Sequence, residues 1–491
     1  MEVKAVKAVK AVKPTAFLAT LMPHQEKAKA WTLAEEKGGC LLCCGMGLGK
    51  TLITLSVMVE RPKKTLVVLP LSLLSQWEAE IGKHTSGFVL AIHHGDKRAK
   101  APAIKKFAEA DVVLTTYNTV WTDYKNGNTG AYAEIERVVF DEAHKLRSHQ
   151  SNMYKGTRAM FAGVPFKVLL TGTPVCNRMQ DIVSLFSLLG REPMNDPSYW
   201  KSMSLEEKAE KVVEFRKKVV LYMKTEDTIG DKLPDLKVID HDIRFEKDGQ
   251  QDVYEKVLDG SIASKNKLQK ILKLRQCANE AKLLVKKGVG KEAVRAGASS
   301  ELSDKVNLVK RIVGDLPAGD KIVIFSQWLG MLELLRDTVA DAGSSLLYHG
   351  RMKKEDKDEV VRQFETDPEK RVLFITLKAG SVGLNLNVAN HAIMVEPYFN
   401  AAEENQAMTR VFRIGQTKPV VVHRIRVSDT VEDWMKQIQK IKGKTAEMIL
   451  CGKGDVVEIQ DAIAEKGGMF EKLVNNNKTP VVAGATVAVK A

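Results

Sequence analysis

Two features are scarce in this sequence: cysteine and uninterrupted apolar stretches. Its 491 residues include six cysteines, unevenly placed along the chain. No run of about 18 consecutive apolar residues occurs, which argues against a membrane-spanning helix. No signal-peptide pattern precedes the cysteines, so we expect reduced thiols in an intracellular compartment rather than a disulfide framework.

Cys40 and Cys43 form a C-x-x-C pattern, a spacing found in zinc sites. A second pair of ligands does not follow nearby, and the neighbouring residues have the apolar character of a buried strand. We therefore expect these thiols to pack as small apolar groups, and we expect no zinc.

The chain is long for a single hydrophobic core, and its charge is strongly positive. A length of 491 residues favours two or three domains. The formal charge of +14, from 75 basic and 61 acidic residues, suits a polyanionic partner. A solvated basic surface without a partner is the alternative.

Short apolar runs rich in β-branched residues alternate with helical patterns in two parts of the chain. Such alternation indicates right-handed crossovers and a parallel sheet covered on both faces. The first part holds TLVVLP from residue 65, DVVLTTY from 111, RVVFDEAH from 137 and FKVLLTGTP from 166. The second holds KIVIFSQW from 321, SSLLYHG from 344, RVLFITLKAG from 371, HAIMVEPY from 391 and VVVHRIRV from 420. The sequence thus predicts an α/β protein with two lobes.

Between these two parts the alternation stops. From about Pro193 to Ile312 the sequence is rich in lysine and helical in pattern, as in SLEEKAEKVVEFRKKVVLYMK. Simple sequence at both ends of the chain predicts disordered tails. The expected divisions are a disordered basic tail (1–16), an N-terminal lobe (17–192), a helical segment (193–312), a C-terminal lobe with a closing helix (313–450) and a partly disordered extension (451–491).

The stretch CLLCCGMGLGKTLITL, residues 40–55, places three glycines between two apolar runs. We expect a buried strand to end near Cys43 and a helix to begin near Lys50. Glycine lets backbone N–H groups curl around phosphate oxygens, and a helix N-terminus adds partial positive charge. Lys50 would then reach the β- and γ-phosphates, and the Thr51 hydroxyl would hold Mg²⁺. The strict pattern has glycine where Cys44 stands, so an ordinary glycine-rich turn is the alternative.

Two further motifs end predicted strands in the first part. In FDEAH, Asp141 would hold Mg²⁺ through its water shell, and Glu142 would orient and deprotonate the attacking water. A surface acidic pair is the alternative. In TGTP, the hydroxyls of Thr171 and Thr173 would sense the nucleotide state, although this motif alone would be only a turn.

The second part carries LKAGSVGLNL (377–386) and NQAMTRVFRIGQ (405–416). Arg410 and Arg413 are three residues apart, so they share one face if this stretch is helical. Hydrolysis of a triphosphate needs positive charge at the γ-phosphate in the transition state, which arginines from a second lobe supply. An exposed basic helix is the alternative.

The ordered series of motifs resembles the Swi/Snf-type ATPases of helicase superfamily two, from about Leu21 to Leu450. The resemblance implies two RecA-like lobes. It rests on MPHQ, GMGLGKT, LPLSLLSQWEAEI, DEAH, LLTGTP, FSQW, LKAGSVGLNL and QAMTRVFRIGQ, in that order.

Within that family, KLQKILKLRQCANEAKLL (267–284) resembles the RING-bearing translocases of postreplication repair. The stretch from Glu280 to Lys321 has no cysteine or histidine, so we expect neither their zinc RING nor their ubiquitin-ligase activity.

The resemblance also implies roles for individual residues. Gln25 matches the adenine-reading glutamine of the family, whose carboxamide both donates and accepts hydrogen bonds; a surface glutamine is the alternative. Gln406 and Arg410 would close the nucleotide site from the second lobe. Trp77 would contact DNA or instead serve as a core anchor. The remaining implied sites are Met46, Gly47, Leu48 and Gly49 for ATP, and Ser75, Gln76, Lys378, Gly380 and Asn385 for DNA.

The sequence departs from the family pattern at five positions. Cys44 and Gly45 stand where the family commonly has Asp-Glu, so two charges beside the nucleotide are missing. Ser381 replaces a glycine, Phe412 a histidine and Glu396 an aspartate. These changes leave the backbone cradle and the groups needed for hydrolysis in place.

The sequence therefore predicts a DNA-dependent ATPase that uses ATP and Mg²⁺ and translocates on double-stranded DNA. It would remodel protein–DNA complexes or DNA structures in repair or chromatin, with nucleosomes as a further partner and no membrane association. A nuclear location is expected in a eukaryote, and a cytoplasmic or viral one otherwise. A strand-separating helicase and a DNA-binding scaffold with a decayed ATPase are the alternatives.

Overall fold

The computed structural model describes residues 15–95, 107, 109–172, 179–245, 248–285, 302–339, 341, 343–380 and 384–451. These residues form two compact units. The first unit takes the described residues up to Gly230 and the end of the last helix from Ala446, and the second takes those from Asp231 to Thr445. The predicted disordered tails, Thr173 and Ser381 lie outside the described residues, except for 15–16 and Cys451 at the tail borders.

The first unit is built on a parallel sheet. Its strands are β1 (Ala16–Phe17), β2 (Cys40–Cys44), β3 (Thr65–Leu69), β4 (Thr85–Ser86), β5 (Leu90–His93), β6 (Val112–Thr116), β7 (Arg137–Phe140), β8 (Phe166–Thr171) and β9 (Val220–Met223). In the described part of the chain, seven of them form a sheet in the order β5, β6, β3, β7, β8, β2, β9, while β1 and β4 pair separately and antiparallel. Every residue of β2, β3, β6 and β7 is buried, so both faces of the sheet are covered.

Helices connect the strands of the first unit. They are α1 (Pro23–Glu35), α2 (Lys50–Glu60), α3 (Leu74–His84), α4 (Tyr117–Lys125), α5 (Asn152–Met160), α6 (Met179–Phe186), α7 (Pro197–Lys201), α8 (Leu205–Val219) and α9 (Thr225–Ile229).

The second unit repeats this plan with a six-stranded parallel sheet. Its strands are β10 (Leu236–Ile243), β11 (Ile322–Ser326), β12 (Ser345–Tyr348), β13 (Val372–Thr376), β14 (His391–Met394) and β15 (Val420–Val427), in the order β10, β15, β14, β11, β13, β12. Along β11, Val323 and Phe325 belong to one hydrophobic cluster and Ile322 and Ile324 to another. Because successive side chains of a strand point to opposite faces, both faces of this sheet are covered.

The helices of the second unit are α10 (Asp248–Leu258), α11 (Lys267–Asn279), α12 (Lys282–Val285), α13 (Asp304–Gly314), α14 (Leu329–Val339), α15 (Lys354–Thr366), α16 (Leu377–Gly380), α17 (Ala401–Met408) and the part of α18 (Val431–Cys451) that precedes Ala446. The predicted α/β class, with two lobes whose parallel sheets are covered by helices, is confirmed.

The segment between the lobes, residues 193–312, contains the predicted helices but also two strands. Helix α8 begins at a capping box between Ser204 and Glu207 but ends at Val219, and the next four residues pair with β2 as β9. Residues Leu236–Ile243 pair along their whole length with β15. The apolar run VVLYM, residues 219–223, covers the end of α8 and all of β9 without a break in hydrophobic spacing, so the sequence pattern does not show where the helix ends and the strand begins.

The predicted packing of the cysteines as small apolar groups is confirmed for the side chains that the structure describes. Cys40, Cys43 and Cys44 are buried in β2, Cys277 is buried in α11, and all four are free thiols. None of the helices in the described ranges combines the length and the apolar character that a membrane crossing requires.

Candidate nucleotide-binding site

The glycine-rich stretch forms an open loop between β2 and α2. Gly47 and Gly49 have φ angles of 79° and 80°, in the left-handed region that favours glycine. A methyl group at Gly49 would overlap the carboxamide of Gln25, whereas one at Gly47 would meet no atom within 4 Å. The loop is thus closely packed at its helix end and open at its middle, as a phosphate cradle requires.

Lys50 lies beside this loop. Its Nζ atom donates hydrogen bonds to the carbonyl oxygens of Cys44 (3.0 Å) and Gly45 (3.5 Å). A methyl group at Gly172, just beyond β8, would lie 3.3 Å from the same Nζ. The ammonium group is therefore held between the loop and the end of the neighbouring strand.

Gln25 is tied to the loop from α1. Its Nε2 donates to the carbonyl oxygen of Leu48 at 3.2 Å, and its Oε1 accepts from the Met22 N–H at 2.9 Å. Its 5% exposure excludes the alternative of a surface glutamine, while its role in reading adenine stays a prediction. His24 Nε2 also lies 3.2 Å from the Leu48 oxygen, a contact that no sequence motif indicated.

The DEAH motif leaves β7 through a strained turn. Glu142 has φ 52° and ψ 49°, a left-handed conformation that is uncommon for a residue with a side chain. Its N–H donates to Asp141 Oδ1 at 2.9 Å. Such a strained backbone conformation persists where the surrounding structure holds it in place, which is typical of functional sites.

Asp141 is buried and surrounded by donors. Trp77 Nε1 donates to its Oδ2 at 2.7 Å, and the Tyr117 hydroxyl donates to its carbonyl oxygen at 2.6 Å. Burial, together with the charge of Glu142, raises the pKa of Asp141 to about 6, although the Trp77 hydrogen bond and the Lys50 ammonium lower it. Burial and the charge of Asp141 raise the pKa of Tyr117 well above its ordinary value.

A second set of contacts joins DEAH to TGTP. His144 Nδ1 lies 3.1 Å from Glu142 Oε2 and 3.4 Å from Thr171 Oγ1. Thr171 is the buried last residue of β8. His144 had no predicted role, although it belongs to the DEAH motif.

These groups meet because their strands are neighbours. Strand β8 pairs in parallel with β7 on one side and β2 on the other, so the three carboxyl ends lie at one edge of the sheet. That edge brings together Lys50, Asp141, Glu142 and Thr171. The Asp141 carboxylate and the Thr51 hydroxyl are the oxygen ligands that Mg²⁺ prefers, so the residues present fit this ion.

The predicted DNA contacts at the start of α3 divide into two groups. Ser75 and Gln76 are exposed. Trp77 is 1% exposed and bonded to Asp141, which supports the core anchor and leaves its predicted DNA contact without support.

In the second unit, Lys378 and Gly380 follow β13. Lys378 is exposed, whereas Gly380 is buried. A methyl group at Gly380 would lie 2.8 Å from the Phe325 ring and 3.1 Å from Ile375 Cδ1. Glycine is required here for packing between β11 and α16.

The two motifs of the second unit are joined by hydrogen bonds. The Leu386 N–H donates to the Arg410 carbonyl oxygen at 3.1 Å. Gln416 Nε2 donates to the carbonyl oxygens of Asn387 (2.9 Å) and Ala389 (2.7 Å). Exposed Asn385 therefore lies in a segment fixed against the arginine-bearing one.

The condition under which Arg410 and Arg413 would share one face, a helical stretch, is not met. Helix α17 contains Gln406 but ends at Met408, and both arginines lie in the turns that follow. The N–H groups of Arg410 and Val411 each bond three residues back, which tightens the chain out of α-helical geometry. Val411 and Phe412 both turn into the core.

Comparison with known proteins gives two matching family models. The model of the SNF2-related domain matches residues 24–289, more than half of the chain, and that of the helicase conserved C-terminal domain matches 304–415. The chain is 31% identical to the probable global transactivator of Orgyia pseudotsugata multicapsid polyhedrosis virus, over 86% of this chain and 90% of that protein.

Other relatives are longer. The chain is 30% identical to mouse chromodomain-helicase-DNA-binding protein 1-like, and the match covers 85% of this chain but 48% of that protein. Among solved structures, it is similar to a Sulfolobus solfataricus SWI2/SNF2 ATPase core in complex with dsDNA, with 24% identity, a TM-score of 0.41 and coverage of 95% and 99% of the two chains. The family models and the viral relative show that the chain belongs to the SNF2-related family and is an ATP hydrolase of the helicase type.

Proposed function

We propose that this ATP hydrolase is stimulated by DNA and translocates on double-stranded DNA. It would remodel protein–DNA complexes or DNA structures in repair or chromatin. The observation that carries the proposal is the cluster at the carboxyl edge of the first sheet, where Lys50, Asp141, Glu142 and Thr171 meet.

The residues of this edge have complementary roles in hydrolysis. The open loop from Met46 to Gly49 and the Lys50 ammonium bind the phosphates. Thr51 and Asp141 would hold Mg²⁺, which supplies positive charge at the phosphates. Glu142 orients the attacking water and accepts its proton. The left-handed backbone of Glu142 and its contact with His144 fix the direction of its carboxylate.

We propose that the second unit supplies the other half of the machinery. Gln406, Arg410 and Arg413 stabilise the charge that develops on the γ-phosphate. Lys378, Gly380 and Asn385, together with Ser75 and Gln76 of the first unit, bind the DNA backbone. Because backbone contacts carry little base information, binding is independent of sequence and falls steeply with salt.

Several relatives carry names that support this setting. The mouse relative is a chromodomain-helicase-DNA-binding protein, and an Arabidopsis relative, 24% identical, is a DNA repair protein. We propose nucleosomes as a further partner. The location would be nuclear in a eukaryote and viral or cytoplasmic otherwise.

ATP turnover measured with duplex DNA, single-stranded DNA, nucleosomes and no nucleic acid tests the proposal. We expect duplex DNA to raise turnover and Lys50→Ala to abolish it. Equal turnover in all four conditions would contradict DNA stimulation. Turnover no higher than that of Lys50→Ala would leave only the alternative of a scaffold with a decayed ATPase.

Translocation is separated from strand separation by two further assays. A translocase displaces the third strand of a DNA triplex and leaves a forked duplex intact. Release of a strand from the forked duplex would favour the helicase alternative.

A further inference from the structure

Thr225 is packed against the phosphate loop at Gly45, the first residue after β2. A methyl group at Gly45 would overlap the Thr225 hydroxyl oxygen and lie 2.8 Å from the Thr225 backbone nitrogen. No side chain fits at position 45 while Thr225 occupies this place. The family-type acidic residue is therefore excluded at Gly45 by a contact with a distant part of the chain.

Two hydrogen bonds accompany this contact. The Thr225 hydroxyl donates to the Met46 carbonyl oxygen at 2.8 Å, and the Gly45 N–H donates to the Met223 carbonyl oxygen at 2.8 Å. Strand β9 pairs with β2 as far as Cys44, opposite Met223. The hydrogen bonds between these strands thus continue beyond β2 into the loop itself.

The bond to Met46 determines the orientation of a loop N–H. The carbonyl group of Met46 and the N–H of Gly47 belong to one planar trans peptide, so they point in opposite directions. When Thr225 holds the carbonyl group, the Gly47 N–H points away from Thr225. Gly47 is the open, left-handed position of the loop, where a phosphate oxygen can approach the backbone.

We infer that Thr225 is a positioning residue for the phosphate loop, holding the Met46–Gly47 peptide in the orientation that binds phosphate. This inference rests on the proposed nucleotide function of the loop. Thr225 also begins α9, which ends just before the chain passes into the second unit after Gly230. The segment that connects the two units is therefore anchored on the phosphate loop.

Paired substitutions in the full chain test the inference. Thr225→Val keeps the side-chain shape and removes the donor, whereas Thr225→Ser keeps the hydroxyl. Thr228→Val is the matched control, because the Thr228 hydroxyl donates to the Lys224 carbonyl oxygen within the same segment. We expect Thr225→Val to raise the Kd for ATP and the KM about five- to tenfold, the factor of one neutral hydrogen bond.

Different effects on kcat and KM distinguish a positioning role of Thr225 from a loss of structure. Because the Gly47 N–H binds phosphate in the ground state and the transition state alike, kcat should change much less than KM. Thr225→Ser and Thr228→Val should keep both constants of the wild type. Melting temperature without nucleotide should be nearly equal in all four proteins, and the increase caused by ATP should be smaller in Thr225→Val. Gly45→Ala disturbs the same contact at the phosphate loop, so it should also raise the Kd for ATP.

The outcomes of this experiment are distinct. If wild type and Thr225→Val bind ATP with equal Kd, the inference is overturned while the proposed function stands. If Thr225→Val binds more weakly but the wild type does not hydrolyse ATP, the inference holds and the proposed catalysis fails. If the wild type binds no ATP, both are overturned.

Discussion

The indole N–H of Trp77 donates a 2.7 Å hydrogen bond to Oδ2 of Asp141, a residue 64 positions further along the chain. This bond places α3 directly behind the carboxylate that we expect to hold Mg²⁺. It also lowers the pKa of that carboxyl against the opposing effect of burial.

Trp77→Phe should raise the pKa of Asp141 further and shift the acid limb of ATP turnover to higher pH. Phenylalanine keeps an aromatic ring in the core but has no donor, so the buried carboxylate loses one of its partners. A lost hydrogen bond to a charged group should also lower stability by about 1–3 kcal/mol. The pH–rate profile of the variant is the measurement. An acid limb at the wild-type pH would contradict the account of this pair.

The stability of Asp141→Asn relative to that of the wild type should increase as the pH rises. The folded-state pKa of about 6 lies above the ordinary value of 3.8, so ionisation of Asp141 costs stability between these values as the pH increases. Asparagine does not ionise. The stability of the variant minus that of the wild type should therefore grow by about 2 kcal/mol between pH 4 and 8. Urea unfolding across this range measures it, and a constant difference would show that Asp141 ionises normally.

Gly380→Ala should destabilise the second unit by about 1–3 kcal/mol, because the added methyl group would overlap the Phe325 ring. Gly314→Ala is the matched control. Gly314 is the last residue of α13, and a methyl group there would meet no atom within 4 Å. Thermal unfolding of both variants should show a lower melting temperature for Gly380→Ala alone. Equal melting temperatures would mean that the ring moves aside at no cost.

His423 should make stability fall as the pH drops. Its Nδ1 lies 2.9 Å from His241 Nε2, and its ring stacks on His391 with the centroids 6.4 Å apart. Burial, with the neighbouring His241 and His391, lowers the pKa of His423 to about 4. The unfolded chain binds a proton at about pH 6.5, which the folded state resists, so stability is lost from about pH 6.5 towards 4. In urea unfolding, His423→Gln should weaken the dependence of the unfolding free energy on pH. An unchanged dependence would show that other groups cause it.

The sequence predicted the parts of the fold that depend on local pattern. Buried runs such as Leu66–Leu69 are apolar along their whole length, and a strand between covered faces needs that composition. It missed β9, because VLYM continues the apolar spacing of α8 and becomes a strand only by pairing with β2. It left open whether Arg410 and Arg413 lie on a helix, because the end of α17 at Met408 depends on the tertiary packing of Val411 and Phe412.

The candidate site was also predictable only where it depends on local sequence. Lys50, Asp141 and Glu142 were identified because short motifs fix their spacing. The partners that orient them have no local signal, since Thr225 lies 179 residues from Met46 and Trp77 lies 64 from Asp141. Only the tertiary fold brings such residues together.

The proposed mechanism depends on Arg410 of the second unit acting on the triphosphate that Lys50 of the first would bind. Arg410→Ala is the most direct test, with Arg362→Ala as control, because Arg362 is an exposed residue paired with Glu359 on α15. An arginine that stabilises the transition state contributes a factor of about 10³ or more to kcat. We predict that Arg410→Ala lowers DNA-stimulated kcat to that extent while the Kd for ATP changes little, and that Arg362→Ala leaves both unchanged. Wild-type kcat in Arg410→Ala, with duplex DNA saturating, would contradict the claim.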